Sequence, residues 1–333
     1  MSIYSYTTKI ADFQQTKTKN KMDKFLSVVL SVIYGGFLAL LPVDVFLDRI
    51  NYLVYASAAD LIMERYALNG VLTVLANEPV WLLLNRLLAT FLSPEMIIRL
   101  IVFFPASIIA WLLLQHRKGW IGWTLLFLFF PAVIKNHVIH LRQGVAIALF
   151  LVGWYSQRKN FRYVLWLVTP FIHASFFFVL MLYVLVKIVK ILRMPDEFFI
   201  LMPLYISFAV GFGLPWLGFR VGARQAFEYN LRGVDISGLG FIFWLLLLIV
   251  LLSQGRQFIR RHAFEIVTVT FYLGIYFLGA VSARIYESTL LLVLLSGLDL
   301  EKRRRSVFLI MIGGFIFLSY YLRLGDPWLG WGF

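Results

Sequence analysis

The chain has 333 residues, 61% hydrophobic, 17% aromatic and only 14% charged, with a mean hydropathy of +0.83; this excludes an ordinary soluble domain and indicates an integral membrane protein. The formal charge of +14 is scattered in short clusters between apolar runs, a pattern of membrane topology and not of a nucleic-acid-binding stripe. Cysteine is absent, which rules out disulfides and thiolate metal sites.

Residues 1–24 form a polar tail carrying Lys9, Lys17, Lys19, Lys21 and Lys24. The apolar run behind it has no small-residue cleavage site, so the tail reads as the cytoplasmic side of an uncleaved anchor. Residues 25–322 read as a single integral membrane domain and 323–333 as a short outer-face tail. Apolar stretches at about 25–42, 96–114, 120–135, 141–156, 197–213, 239–254, 264–281, 285–299 and 306–322 predict spans, each near the usual length of about 17 to 20 residues.

Six basic clusters separate them: Lys17 to Lys24, Arg117-Lys118, Arg158 to Arg162, Lys187 to Arg193, Arg256 to Arg261 and Lys302 to Arg305. The positive-inside rule puts all six in the cytoplasm. Pro170 interrupts the run from Tyr163 to Val186 just before His173, which predicts two half-helices in a broken, re-entrant-like hairpin near 163–190 with the histidine at its tip. The fold class is therefore an all-α polytopic membrane protein of about ten transmembrane segments. Its amino terminus is inside, with short outer-face helices in the loops 43–95 and 214–238. In this topology the segment from Glu78 to Leu92 lies along or dips into the outer face; the alternative is that it spans and another short segment compensates.

Basic residues outside the clusters are mostly arginine, including Arg49, Arg65, Arg86, Arg99, Arg142, Arg220, Arg224, Arg232 and Arg284. The planar guanidinium suits bidentate binding of phosphate or carboxylate, whereas lysine acts as a point charge. Arg142 opens an apolar helix, so an anion there would meet a guanidinium and a helix amino terminus together; the alternative is an arginine snorkelling to headgroups. Arg220, Arg224 and Glu228 recur at one-turn spacing among Trp216, Phe227 and Tyr229. They form either a solvated helix facing anionic lipid or a loop for an anionic sugar. Arg284 and Glu287 share a helical face, as a partly buried ion pair or as an anion clamp with its orienter or base. His173, beside Ser175, is either a structural hydrogen-bonding group or a base, since its unperturbed pKa of about 6.5 lies near operating pH. His137 and His140 are close enough to share a metal, but no third ligand stands at a motif spacing. The glycine-rich phosphate loop, the His-Glu-x-x-His pattern and the Gly-x-Ser-x-Gly elbow are all missing.

Asp48-Arg49-Ile50-Asn51-Tyr52, Glu78-Pro79 with Leu83-Leu84-Asn85, Leu141-Arg142-Gln143-Gly144-Val145-Ala146, Phe171-Ile172-His173-Ala174-Ser175 and Arg284-Ile285-Tyr286 follow one another in this order. Together, over about residues 44–290, they resemble the EpsG/Wzy group of bacterial polysaccharide polymerases. The resemblance implies a glycosyltransferase of the inner membrane that works on its outer, periplasmic face. Its substrates would be oligosaccharide repeat units linked through pyrophosphate to undecaprenol, the growing glycan passing to the non-reducing end of a new unit, to make O-antigen, capsule or exopolysaccharide. On that reading Arg142 and Arg284 hold the pyrophosphate, Arg220 and Arg224 help bind donor or acceptor, and Tyr286 and Glu287 complete the binding set. His173 or Glu78, then His140, is the base. Arginines supply the counter-charge, so neither metal nor cofactor is expected. The implied partners are the lipid-linked donor and acceptor, membrane lipids, and a chain-length regulator and flippase of the same pathway, with no nucleic acid. A flippase for anionic lipid-linked glycan, or a ligase using the same donor, would share much of this footprint.

Overall fold

The computed structural model describes residues 24–220, 238–278 and 282–332. These are helical almost throughout, with an isolated bridge between Phe46 and Gly332. In chain order the helices are α1 (Lys24–Leu40), α2 (Arg49–Leu68), α3 (Val71–Ala76), α4 (Pro79–Ala89), α5 (Pro94–His116), α6 (Ile121–Leu128), α7 (Pro131–Val138), α8 (Leu141–Tyr155), α9 (Lys159–Val168) and α10 (Ser175–Ile191). There follow α11 (Phe198–Arg220), α12 (Gly238–Leu252), α13 (Arg256–Arg261), α14 (Ala263–Ile275), α15 (Ser282–Glu287), α16 (Leu290–Gly297) and α17 (Lys302–Tyr321).

The number of long spans departs from the ten expected. Among the described residues, α5 and α17 are long and apolar enough to cross a membrane, and α6 with α7 makes a third where that pair, bent by 55°, is a single span. These helices are of the kind that associates a chain with a membrane. Five of the other expected spans are single apolar helices of 10–17 residues (Lys24–Leu40, Leu141–Tyr155, Phe198–Gly213, Gly238–Leu252 and Ala263–Ile275), and others are divided by bends, which hydropathy averaged over a window passes through unnoticed. Pro131 is the clearest case: Phe130 before it is extended (φ −61°, ψ 132°), as the residue preceding proline prefers, and the expected span 120–135 is cut there. The expected span 285–299 is cut between α15 and α16 at Ser288 and Thr289, whereas α8 covers all but the last residue of the expected stretch 141–156 as one helix.

The break near Pro170 lies where the proline predicts it. α9 ends at Val168, a 3-10 turn covers Thr169–Phe171, and α10 begins at Ser175, leaving His173 between them. Trp166 of α9 meets Tyr183 of α10 with ring centroids 4.6 Å apart, so the two arms fold back on one another. The tail 323–333 turns back on the body: Leu47 N–H donates to the Trp331 carbonyl at 2.9 Å, and Trp331 is buried.

Among the described residues, Lys24 and the later basic clusters gather at one end of the bundle. The Gln115 amide reaches the Lys24 carbonyl at 3.5 Å, and Arg117 forms a two-pronged pair with Asp299 at 2.6 and 3.0 Å. His116 stacks on Tyr155 at 3.8 Å. Arg260 pairs with Asp196 at 2.6 Å, and the Gln254 side chain accepts from the Glu301 amide at 3.2 Å. Helices α8 and α10 start at the opposite end, and it is there that the candidate residues lie. α5 packs along α8, and α11 along α14. Gly144 allows α8 to begin against the last turn of α7, since a side-chain carbon there would collide with the Asn136 carbonyl.

Candidate functional site

Arg142 stands in the first turn of α8, and its guanidinium is ion-paired to Glu78 at the start of α4. The pair is buried, at 12% and 2% side-chain exposure. Glu78 also accepts a hydrogen bond from the Ala174 amide at 3.1 Å. One carboxylate therefore ties the arginine to the break that holds His173. The backbone of Glu78 is left-handed (φ 60°, ψ 58°) although proline follows, a conformation costing about 1–3 kcal/mol that persists only where its surroundings enforce it.

Helices α2 and α4 make a shelf beneath this pair. The Arg142 guanidinium lies 5.9 Å from the Tyr52 ring and 5.5 Å from that of Tyr55, within cation–π range. Trp81 packs edge-on against both tyrosines, at 5.6 and 6.3 Å. Arg49, fully buried, donates from Nε to the Val138 carbonyl at 2.7 Å and ties the start of α2 to the end of α7. The segment from Glu78 onward thus reaches the centre of the site, with Glu78 against Arg142 and the Ala174 amide.

His173 opens a chain of short contacts. Its Nδ1 lies 2.7 Å from Ser175 Oγ, which lies 2.8 Å from Ser288 Oγ. Ser288 Oγ in turn donates to the Arg284 carbonyl at 3.0 Å. Gln143 donates to that carbonyl at 2.7 Å and to Ser288 Oγ at 3.1 Å. With the Ser288 proton committed to the carbonyl, Ser175 donates to Ser288, and the proton between Ser175 and the imidazole then belongs to Nδ1. Nε2 is left as the acceptor. The Ser175 amide approaches Nδ1 at 3.4 Å and favours the opposite tautomer, but it is the longest contact of the set. Burial, with the charges of Arg142 and Arg284 behind it, holds the pKa of His173 well below its ordinary value, so the ring is neutral.

Glu287 is oriented differently from expectation. Its ion pair is with Lys135 of α7, at 2.7 Å, rather than with Arg284 three positions earlier. The carboxylate on the short helix α15 is thus held by an ammonium across the interface between helices. Its second oxygen lies 3.8 Å from His140 Nδ1, and neither atom has a hydrogen-bond partner among the described residues. Burial lowers the pKa of His140 against the pull of Glu287. His137 is buried beneath the edge of Tyr34 at 6.4 Å, and no cluster of three or more metal-ligating side chains occurs among the described residues.

Arg142, Glu78, His173, Arg284, His140, Tyr286 and Glu287 therefore share one end of the bundle. Arg220 closes α11, and Arg224 lies outside the described residues. Lys135, Gln143 and Ser288 join the site without having stood out as site residues in the sequence, because a lysine, an amide and a serine near helix ends carry no distinctive spacing. Arg142 and Lys135 are paired with Glu78 and Glu287 respectively, so two buried ion pairs stand at this end of the bundle with Arg284. Searches against protein-family models, curated proteins and solved structures find no match to this chain.

Proposed function

We propose that this protein is a membrane-embedded glycosyltransferase that polymerises lipid-pyrophosphate-linked oligosaccharide units. The observation that carries the reading is the convergence of Glu78, Arg142, His173 and the Arg284 segment, from four distant stretches, at the end of the bundle opposite the basic clusters. By the positive-inside rule that end faces outward, which supports an inner-membrane protein with its site on the periplasmic side and its amino terminus in the cytoplasm. Shorter helices carry exposed apolar side chains, among them Phe161, Val164 and Leu167 on α9 and Ile242, Leu246 and Ile249 on α12, which supports contact with lipid.

In the proposed reaction the acceptor hydroxyl forms a bond to the anomeric carbon while the bond from that carbon to the pyrophosphate oxygen breaks. The bonding electrons leave on the lipid pyrophosphate. Arg142, at a helix amino terminus, and Arg284 offset the charge developing there; one well-placed donor of this kind is worth on the order of 10²- to 10³-fold in rate. His173 Nε2 takes the hydroxyl proton, and the imidazolium shares its Nδ1 proton with the Ser175–Ser288 chain. Glu78 is already committed to Arg142 and the Ala174 amide, so its role is to position them. Arg220 and Arg224 remain candidates for binding the lipid-linked units.

The test is elongation of lipid-linked repeat units by the purified protein in detergent, with no sealed compartment. Wild type is expected to lengthen the glycan, and Arg284→Ala to lose at least 10²-fold. A protein that moves such lipids across vesicles without lengthening them is a flippase instead, and one that passes glycan only to a different acceptor is a ligase.

A further inference from the structure

A cavity of about 190 Å³ lies on the other side of α15 from His173. Arg284 and Ser288, one turn apart, belong to the histidine side; Ala283, Tyr286, Glu287 and Leu290 line the cavity, so the short helix forms a wall shared by both spaces. The remaining lining is aromatic, chiefly Phe130, Trp244, Tyr272, Phe315 and Trp331, with Lys135 in the wall and Arg323 at the end of α17.

Two buried polar groups in this wall have no hydrogen bond among the described residues: Tyr286 Oη, and Glu287 Oε2, which has His140 Nδ1 at 3.8 Å. A buried polar atom left unpaired costs about 1–3 kcal/mol, and native proteins seldom leave one without a purpose. Phenol and carboxylate carry complementary roles here, since Tyr286 Oη can donate or accept and Glu287, held ionised by Lys135 at 2.7 Å, can only accept. A purely apolar occupant such as an acyl chain would satisfy neither. The size is right for a single ring: a cavity of about 150 Å³ holds one benzene.

From this combination we propose that the cavity is a binding site for one hexopyranose ring of the glycan, its apolar face against the aromatic wall and its hydroxyls on Tyr286 and Glu287. The inference deepens the polymerase reading by giving the acceptor glycan a site beside the reacting centre. The two can fail separately, because sugar binding is measured without turnover.

The experiment titrates the full chain in lipid nanodiscs with methyl hexopyranosides and methyl N-acetylhexosaminides at high millimolar concentration, following tryptophan fluorescence and thermal unfolding. At least one glycoside is expected to perturb the fluorescence saturably, and Trp244→Phe to remove most of that change. Tyr286→Phe deletes only an oxygen that the protein leaves unpartnered, so it should fold, and it should weaken binding roughly fivefold to tenfold, the worth of one hydrogen bond. Saturable binding that is unchanged by Tyr286→Phe, or a fluorescence response to decanol and to no glycoside, overturns the proposal. Wild-type protein that binds the glycoside but lengthens no glycan would sink the polymerase reading and leave this site standing.

Discussion

Arg142 and Glu78, 64 positions apart in the chain, form an ion pair that is almost wholly removed from solvent. Such a pair is most sensitive to losing one partner, because the remaining charge is left buried; the cost is about 3–5 kcal/mol. Arg142→Ala is thus expected to lower both thermal stability and elongation. Removing the opposing charge as well, in Arg142→Ala with Glu78→Gln, should restore most of the stability and none of the elongation. Thermal unfolding in detergent and an elongation assay read the two effects apart, and recovery of both together would make the arginine structural only.

Arg142→Lys isolates geometry from charge. Lysine keeps the cation but loses the planar fork and part of the stacking on Tyr52 and Tyr55. A fall in rate of tenfold or more, with stability changed little, is the expected result; a rate near that of wild type would mean that a point charge suffices.

His173 lies in a buried break with Nδ1 engaged by Ser175. General base catalysis contributes typically 10²- to 10⁴-fold, so His173→Gln should reduce kcat by that order while the lipid substrate still binds. The depressed pKa has a defined sign: the ring stays unprotonated to lower pH, so the acid limb of the kcat/KM profile should fall below the ordinary histidine value of about 6.5. Ser288→Ala breaks the chain one step further out and should shift that limb without abolishing activity. A limb at the ordinary value, unmoved by Ser288→Ala, counts against the relay.

The site was legible in the sequence to the extent that it is made of ionisable groups interrupting apolar runs. Arg142, His173 and Arg284 stand out for that reason, and Pro170 marks the break beside His173. Glu78 was legible as a residue but not in its place, because nothing local to it reveals a partner on another helix. The same holds for Glu287, whose partner Lys135 lies on α7, and for Ser175 and Ser288, joined across 113 positions. Helix count was the weaker inference, since a bend such as the 55° one between α6 and α7 leaves mean hydropathy unaltered.

Gly144 tests how tightly α8 must approach α7. A Cβ there would meet the Asn136 carbonyl, and His137 Nδ1 at 3.1 Å; backbone cannot swing aside as a flexible side chain can. Gly144→Ala is expected to cost about 1–3 kcal/mol, the usual penalty of overpacking, and to displace the turn that presents Arg142. A drop in unfolding temperature together with slower elongation would agree, whereas an unchanged protein would mean that the two helices have slack.

At the other end of the bundle, Asp299 joins Arg117 through both carboxylate oxygens and lies 3.4 Å from His262. Burial acts to raise its pKa, but the Arg117 hydrogen bonds and charge outweigh this and hold it below the usual carboxylate range. A carboxylate whose folded value lies under its unfolded value, about 3.9, adds stability that is fully present above that unfolded value and is lost as pH falls through the folded one. Wild type should therefore lose thermal stability steeply below about pH 4. Asp299→Asn should start less stable at neutral pH, because Arg117 loses its counter-charge, and should show a shallower loss across the acid window. The measurement is unfolding temperature against pH for both proteins in the same detergent. Parallel curves would mean that the pair between the α5 end and the α16–α17 turn contributes nothing to acid sensitivity.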